Sequence, residues 1–267
     1  MEVNNKNEKI RKFNLASRIQ SLYILSELKS KYDNVLDLGA GDGEITYKIK
    51  RMGVANKIYA VDNDSIRIDR IKKRLEKNME NIIINQCFAQ KLPYEKDFFD
   101  LIICNSVIEH IDDYHLIISE IKRVIKKNGT LIITVPNRDM QFGTINNAFW
   151  KFVLTRSNRF KSKLCRNDCL SKMDKIEDVQ NYLNDYFSHK IQFNIDKVKN
   201  DFFDGFELSK TIYFMCGLSG FFHDLAYYFK IFDKYILLKL CYIVGLMEFK
   251  FTKNKKGKGL LAVFISK

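Results

Sequence analysis

Short apolar runs and amphipathic stretches alternate through the first half of the chain. The apolar runs have the length of strands, and the stretches between them repeat their apolar residues at helical spacing. The pattern predicts strand 35–38, helix 43–51, strand 57–61, helix 65–77, strand 82–86, strand 99–104, helix 113–127 and strand 130–135. This alternation predicts an α/β fold with a parallel sheet, right-handed crossovers and a ligand site at the carboxyl ends of the strands.

The same pattern divides the chain into regions. They are an N-terminal helical region at 1–31, an α/β core at 32–137, a variable region at 138–188 and a C-terminal part of the sheet at 189–267. Residues 138–188 do not alternate with strands. Residues 211–249 are almost wholly apolar and aromatic, and they predict an irregular block with a helical insertion at about 215–249. We expect these two blocks to form a lid and to determine the substrate.

One predicted strand leads into three alternating glycines. The sequence from Val35 to Gly43 is VLDLGAGDG, and the next predicted strand ends in Asp62. Glycine lets a ligand approach the backbone closely, and the amides at the start of the following helix point at such a ligand. An acid in the position of Asp62 reaches a ribose diol in nucleotide-binding α/β units. The segment therefore predicts a nucleotide-like ligand.

The glycine spacing separates two cofactor classes. A dinucleotide site has the pattern G-x-G-x-x-G, in which the third glycine allows close packing of helix and strand. Here the spacing is G-x-G-x-G and Glu44 follows. Asp37, two residues before the first glycine, would repel a pyrophosphate, whereas it suits a ligand that carries an ammonium and a sulfonium. The loop therefore favours S-adenosylmethionine.

These residues resemble the class I S-adenosylmethionine-dependent methyltransferases, in particular the group of ubiquinone/menaquinone-type and small-molecule methyltransferases. Residues 99–111 are similar to the fourth strand and following turn of that family, and residues 129–137 to its fifth strand. Residues 189–207 are similar to its last helix and Gly-Phe exit, and residues 259–267 to its closing strand. The resemblance implies a doubly wound, mostly parallel seven-stranded sheet, the Rossmann-like methyltransferase fold.

The resemblance also implies how the cofactor is bound. The backbone of Gly39, Ala40, Gly41 and Gly43 contacts its methionine part, and Asp37 lies near its ammonium through water. Asp62 accepts both ribose hydroxyls, which is a charge-assisted contact.

Further contacts are expected from Asn63 beside the adenine and from Asn105 at the end of the fourth strand. The family usually has an acid before Ala-x-x-Leu-Pro, but Phe88 precedes Ala89 here. The contact of that acid with the adenine amine is lost, and the backbone at Ala89, or Gln90, is expected to replace it in part. Phe88 is expected to lie against the plane or edge of the adenine.

His110 is the candidate catalytic base. Methyl transfer depends largely on positioning, but a hydroxyl acceptor must also lose its proton, and a histidine has a suitable pKa. The alternative is that His110 belongs to a structural or cofactor-adjacent Glu-His turn. Both interpretations stay open at this point.

The net charge of +13 suggests a nucleic-acid partner, yet the lysines are spread along the whole chain. Enzymes that methylate base amines place an Asn/Asp-Pro-Pro-aromatic turn after the fourth strand, where this chain has Asn105-Ser106-Val107-Ile108. Neither Pro93 nor Pro136 is followed by a cysteine, as it would be in a cytosine-ring enzyme. Nucleic acid is therefore an unlikely partner, and RNA or protein methylation remains an alternative that depends on charge.

Other sequence features bear on metals and localisation. The six cysteines lack the spacing of a disulfide framework, and Cys165 and Cys169 would be only half of a metal site, so no metal is expected. The polar, lysine-rich residues 1–13 do not resemble a signal peptide, which favours the cytoplasm.

The apolar block and a cationic segment suggest the nature of the acceptor. Charged residues interrupt 211–249, so this block is not expected to span a membrane. It forms a packed lid, a dimer face, or a peripheral membrane surface beside the lysines of 250–258. Six cations and no acid lie between Lys151 and Arg166. We expect methyl transfer to a hydroxyl of a small molecule, glycan or lipid-linked precursor; the non-enzyme alternative is a cofactor-binding protein without turnover.

Overall fold

The computed structural model describes residues 15–29, 31–75, 79–139, 152–157, 161, 190–202, 204–215, 219, 221–222, 225, 234–251 and 257–267. Two compact units are present. One unit comprises 23–138, 190–212 and 260–267, and the other comprises 1–22, 139–189 and 213–259. The elements in chain order are α1 (Leu15–Ser26), β1 (Tyr32–Leu38), α2 (Glu44–Met52), β2 (Ala55–Asp62), α3 (Ser65–Leu75), β3 (Ile82–Gln86), β4 (Phe99–Asn105), a 3₁₀ turn (Ile108–His110), α4 (Tyr114–Val124), β5 (Ile125–Pro136), α5 (Ile195–Phe202), β6 (Phe206–Phe214), α6 (Lys234–Phe251) and β7 (Gly259–Ser266).

The sheet has seven strands in the order β3-β2-β1-β4-β5-β7-β6. The pairs β1–β2, β1–β4, β2–β3 and β4–β5 are all parallel. The strand order reverses between β1 and β4, and ligands of open α/β sheets bind in the crevice at such a switch point. The predicted doubly wound, mostly parallel seven-stranded α/β fold is confirmed.

The central strands form the core because they are apolar on both faces. Val35, Leu36 and Leu38 of β1 are fully buried, as is the run from Leu101 to Cys104 in β4. Helices then cover the sheet with one apolar face each. In α2, Ile45 and Ile49 are buried, and full burial of an aliphatic side chain stabilises a fold by about 1.5–3 kcal/mol.

One predicted helix was too long. The helix predicted at 113–127 ends at Val124, and Ile125 begins β5, where it pairs with Phe99. The reason is that the carbonyls of Arg123 and Val124 accept hydrogen bonds from the amides of Asp97 and Phe98 (3.0 and 2.8 Å). Strand pairing thus ends the helix at Val124, although the spacing of the apolar residues alone predicts that it continues to residue 127.

A second correction concerns the apolar block. Residues 211–214, which we assigned to the irregular block 211–249, form the end of β6, at the edge of the sheet. The apolar composition hid a strand that follows directly on the expected Gly-Phe exit at Gly205 and Phe206. The expected last helix (α5) and closing strand (β7) are present. Most of the predicted lid at 138–188 lies outside the described residues, as does 1–14 of the N-terminal region, so these divisions stay predictions.

The glycine loop after β1 packs against the segment after β4. Gly39 has a φ of +71°, and a Cβ added there would lie 2.4 Å from Cγ2 of Val107. Gly41 also has a positive φ, +57°, but nothing lies within 4 Å of its added Cβ. The first glycine is therefore required by packing as well as by backbone conformation, whereas the second faces open space.

These two glycines form a matched pair for mutagenesis. Gly39→Ala and Gly41→Ala both place a side chain at positive φ, but only Gly39→Ala overpacks Val107, which adds about 1–3 kcal/mol of destabilisation. We expect the free energy of unfolding, measured with denaturant, to fall further in Gly39→Ala by about that amount. Equal losses in the two variants would contradict the packing of the loop on Val107.

Candidate functional site

Asp37 lies beneath the glycine loop and is almost completely buried. Its Oδ2 accepts two hydrogen bonds from Thr46 of α2, one from the backbone amide (3.0 Å) and one from Oγ1 (2.6 Å). Burial raises the pKa of Asp37 to about 6; the Thr46 hydrogen bonds act in the opposite direction, and the charge of Asp62 adds a smaller rise. Thr46 was not predicted as a site residue, because a buried position on α2 does not distinguish it from an ordinary core residue.

Asp62 ends β2 on the other side of the loop and is only 3% exposed. Its Oδ2 accepts a hydrogen bond from the amide of Gly41 (2.9 Å), and its Oδ1 accepts one from the amide of Asp64 (3.1 Å). Nη1 of Arg67 lies 3.6 Å from Oδ2. The carboxylate thus holds the glycine loop in place. Because each carboxylate oxygen has a second lone pair, contact with a ribose diol stays a prediction that this geometry permits.

Asn63 and Phe88 lie at the carboxyl ends of β2 and β3. The amide of Cys87 donates to the carbonyl of Asp62 (3.1 Å), and Nε2 of Gln86 donates to the carbonyl of Asn63 (3.1 Å). These hydrogen bonds bring the two loops side by side. The Phe88 ring is 63% exposed, an unusual position for a large apolar side chain, and an exposed ring can cover the face or edge of an aromatic base. The roles of Asn63, Phe88 and Ala89 stay predictions.

Asn105 and Ser106 join the end of β4 to β5. Oδ1 of Asn105 accepts a hydrogen bond from Oγ1 of Thr134 (2.7 Å), and the amide of Ser106 donates to the carbonyl of Thr134 (3.1 Å). Ser106 has a φ of +55°, so the chain turns sharply here. This turn brings Val107 against Gly39, so the segment after β4 packs on the glycine loop.

His110 and Glu109 occupy the 3₁₀ turn that follows, and their environments differ. His110 is exposed, and its role as a base stays a prediction. Glu109 is fully buried, and its carbonyl accepts hydrogen bonds from the amides of Lys190 (2.8 Å) and Ile191 (3.2 Å). Glu109 was not predicted as a site residue, because a three-residue turn has no periodicity that distinguishes a buried residue from an exposed one.

The carboxyl group of Glu109 is buried without a hydrogen-bond partner for either oxygen within the described part of the chain. Burial raises its pKa to about 8, although its own backbone and the Ser106 side chain act to lower it. Burial, followed by the charges of Glu109 and Asp37, raises the pKa of the Cys104 thiol, so the two carboxyls act on the same buried thiol. Three ionisable groups therefore share a dry region below the switch point.

The described ranges hold no cluster of three or more His, Cys, Asp or Glu residues arranged to bind a metal ion. The cysteines at 165 and 169 lie outside those ranges. Cys87, Cys104 and Cys241 are not joined in disulfides, and Sγ of Cys241 donates a hydrogen bond to the carbonyl of Ser219 (3.1 Å). As far as the helices are described, none is both long and apolar enough to cross a membrane.

Glu109 makes the stability of the ligand-free protein depend on pH. Its pKa is raised on folding, so the native state keeps a proton that the unfolded chain releases above its ordinary pKa of 4.5. Stability should therefore fall between about pH 5 and pH 8, by at most about 1.4 kcal/mol for each pH unit. Glu109→Gln should remove this dependence.

The measurement is denaturant unfolding of both proteins across that range. Asp37 titrates in both, so its contribution cancels from the difference. Parallel stability curves for wild type and Glu109→Gln would show that the carboxyl is not held in its neutral form.

The chain is similar in sequence to known methyltransferases. A sequence model described as a methyltransferase domain matches residues 29–200, more than half of the chain. The ubiquinone/menaquinone biosynthesis C-methyltransferase UbiE of Pectobacterium carotovorum is 29% identical over 127 residues, which cover 46% of this chain and 51% of that protein. The ubiquinone biosynthesis O-methyltransferase of Rickettsia prowazekii is 29% identical over 139 residues, which cover 50% of this chain and 54% of that protein. The chain spans about half the length of these curated relatives.

Solved structures share the fold. A crystal structure from Thermotoga maritima, described as an S-adenosylmethionine-dependent methyltransferase and possible histamine N-methyltransferase, has a TM-score of 0.57 at 14% identity. The alignment covers 98% of this chain and 96% of that one, and at this identity it shows the fold alone. The site geometry fits the cofactor of such enzymes, because the glycine loop opens above Gly41 between two buried carboxyls. The chain belongs to the class I S-adenosylmethionine-dependent methyltransferase family.

Proposed function

We propose that this protein transfers the methyl group of S-adenosylmethionine to a non-nucleic-acid acceptor, namely a hydroxyl of a small molecule, glycan or lipid-linked precursor. One observation supports the proposal: the open glycine loop lies beside two buried acids. Asp62 suits a ribose diol, and Asp37 suits a cationic ligand and would repel a pyrophosphate. We further propose, from the sequence, that the protein acts in the cytoplasm.

The residues of the site divide the binding of the cofactor among them. The backbone from Gly39 to Gly43 would hold the methionine part, with Asp37 near the ammonium. Asp62 would hold the ribose, while Asn63, Phe88 and Ala89 would surround the adenine and Asn105 would close the β4 side. When bound, the cofactor supplies a methyl group that its sulfonium makes electrophilic. The protein then accelerates transfer mainly by orienting the acceptor and excluding water.

The choice of a small-molecule acceptor has two supports. Two relatives carry the names of ubiquinone biosynthesis methyltransferases, one acting on carbon and one on oxygen. The segment after β4 also lacks the Pro-Pro turn that grips a base amine. A hydroxyl acceptor requires a proton acceptor, and we propose His110 for that role because it is exposed on the turn after β4.

Transfer of a labelled methyl group tests this function. Wild-type protein incubated with methyl-radiolabelled cofactor and a cell extract should label a low-molecular-weight or lipid fraction. Asp62→Ala should weaken cofactor binding by about 1.5–3 kcal/mol, the usual value of a hydrogen bond to a charged group, and should lose most of the label at limiting cofactor.

The matched control is Asp69→Ala, which removes an exposed acid of α3. Label in RNA or protein instead would support the alternative acceptor classes, and cofactor binding without any label would support a binding protein without turnover. An Asp62→Ala variant that binds as tightly as wild type would remove Asp62 from the site.

A second, independent observation concerns a lipid-linked acceptor. Helix α6 buries one face, since Leu237 and Cys241 are buried and a Cβ added to Gly245 would lie 2.7 Å from Cδ1 of Ile19 in α1. Another face of α6 is exposed and apolar at helical spacing; its large residues are Ile236, Leu240, Ile243 and Met247. The chain continues from α6 into 250–258, with five lysines and no acid. An exposed apolar stripe that is followed in sequence by cations suits an anionic lipid surface.

We therefore expect weak binding to anionic vesicles. Wild-type protein should sediment with phosphatidylserine-containing vesicles at low salt and less at high salt, because the lysine contribution is screened. The variant with Lys253, Lys255 and Lys256 changed to Glu should lose the salt-sensitive part, and Leu240→Ser/Ile243→Ser should lose the remainder. Wild-type protein that stays in the supernatant at low salt would rule out the lipid surface and leave a soluble acceptor.

A further inference from the structure

The orphaned carboxyl of Glu109 requires an explanation. Its two oxygens are the only buried side-chain polar atoms without a hydrogen-bond partner among the described residues. Leaving such a group unsatisfied is strongly unfavourable, and native proteins seldom do so without a functional reason. The group is also well placed. The turn that carries it follows β4 directly and touches the glycine loop through Val107 and Gly39.

The surroundings of Glu109 contain no compensating cation among the described residues. Cys104 of β4 and Ser106 are the polar neighbours that affect ionisation here. On the packed side, the hydroxyl of Tyr114 in α4 donates to Asp201 (2.9 Å), and the carboxyl end of β5 carries only uncharged residues.

The lysines of the neighbouring segment form ion pairs with other acids. Nζ of Lys190, whose amide binds the Glu109 carbonyl, pairs with Asp112, and Nζ of Lys197 lies 3.7 Å from Asp201. Lys190 and Lys197 are therefore already paired with acids and leave the carboxyl of Glu109 without a positive partner among the described residues.

We propose that Glu109 is the counter-charge for the sulfonium of the bound cofactor: it holds a proton in the ligand-free protein and releases that proton when the sulfonium binds. The inference rests on the proposed function, which supplies the ligand. A positive charge in a dry site favours the ionised form of a nearby carboxyl. The demethylated product carries a neutral thioether, so it lacks the charge that would drive this ionisation.

Glu109 would thereby distinguish S-adenosylmethionine from its demethylated product. Methyl transfer to a neutral hydroxyl converts an O–H bond into an O–C bond, leaves the electron pair of the broken C–S bond on sulfur, and frees one proton. The carboxylate of Glu109 then has no counter-charge and takes up a proton again. Binding of the charged cofactor is thereby strengthened at higher pH, whereas binding of the product is not.

Calorimetric titration of both ligands between pH 6 and pH 8.5 tests this inference. Because binding of S-adenosylmethionine would release roughly one proton, its affinity should rise by up to about tenfold for each pH unit below the pKa of free Glu109. The affinity of the demethylated product should lack that component. Asp37 faces the ammonium that both ligands carry, so its titration should affect them alike.

The variants distinguish a counter-charge from a structural acid. Glu109→Gln should give the two ligands the same pH slope, while Asp113→Asn, which removes an exposed acid four residues further on, should keep the wild-type difference. If Glu109→Gln does not fold, repeating the wild-type titrations in buffers of different ionisation enthalpy counts the released protons directly.

Three results would overturn the inference. Equal pH slopes for both ligands in wild type would show that Glu109 does not respond to the sulfonium, while leaving the proposed function intact. A slope difference that persists in Glu109→Gln, and disappears in His110→Gln, would assign the proton to His110 instead. Failure of the wild type to bind either ligand would reject the proposed function and this inference together.

Discussion

The hydrogen bond from the Gly41 amide to the Asp62 carboxylate is the contact on which the site depends. It joins the loop after β1 to the end of the neighbouring parallel strand β2. In the following helix, the hydroxyl of Thr46 donates a hydrogen bond to the carboxylate of Asp37. The loop can stay open above Gly41 because these side chains fix it from below and from the side. A preformed loop loses less entropy when a ligand binds.

Three ionisable side chains are buried near the ends of β1 and β4. Asp37, Cys104 and Glu109 all have raised pKa values, and burial is the largest cause in each case. A protein that keeps carboxyls in such an environment is less stable than one with apolar residues there. A cationic ligand relieves part of that penalty, so the same groups that weaken the ligand-free fold favour binding of a positively charged cofactor.

Much of the fold was predictable because its strands are buried on both faces and read as continuous apolar runs. Strand 82–86 was predicted with its observed bounds, and the glycine loop was recognised from spacing alone. The boundary between α4 and β5 at Ile125 was not predicted, because long-range pairing with Phe99 overrides the local helical pattern. β6 was hidden by apolar composition. Within the site, the residue types were predictable, but the contact between Asp62 and Gly41 and the burial of Glu109 depend on tertiary structure.

Hydrogen exchange of the backbone amides tests whether S-adenosylmethionine binds over the glycine loop beside Asp37 and Asp62. We expect this ligand to slow exchange of the amides of 39–46, 62–64 and 105–111, and we expect a nicotinamide dinucleotide to leave their exchange unchanged. Protection by the dinucleotide in those segments, or protection by S-adenosylmethionine confined to other parts of the chain, would contradict binding over this loop.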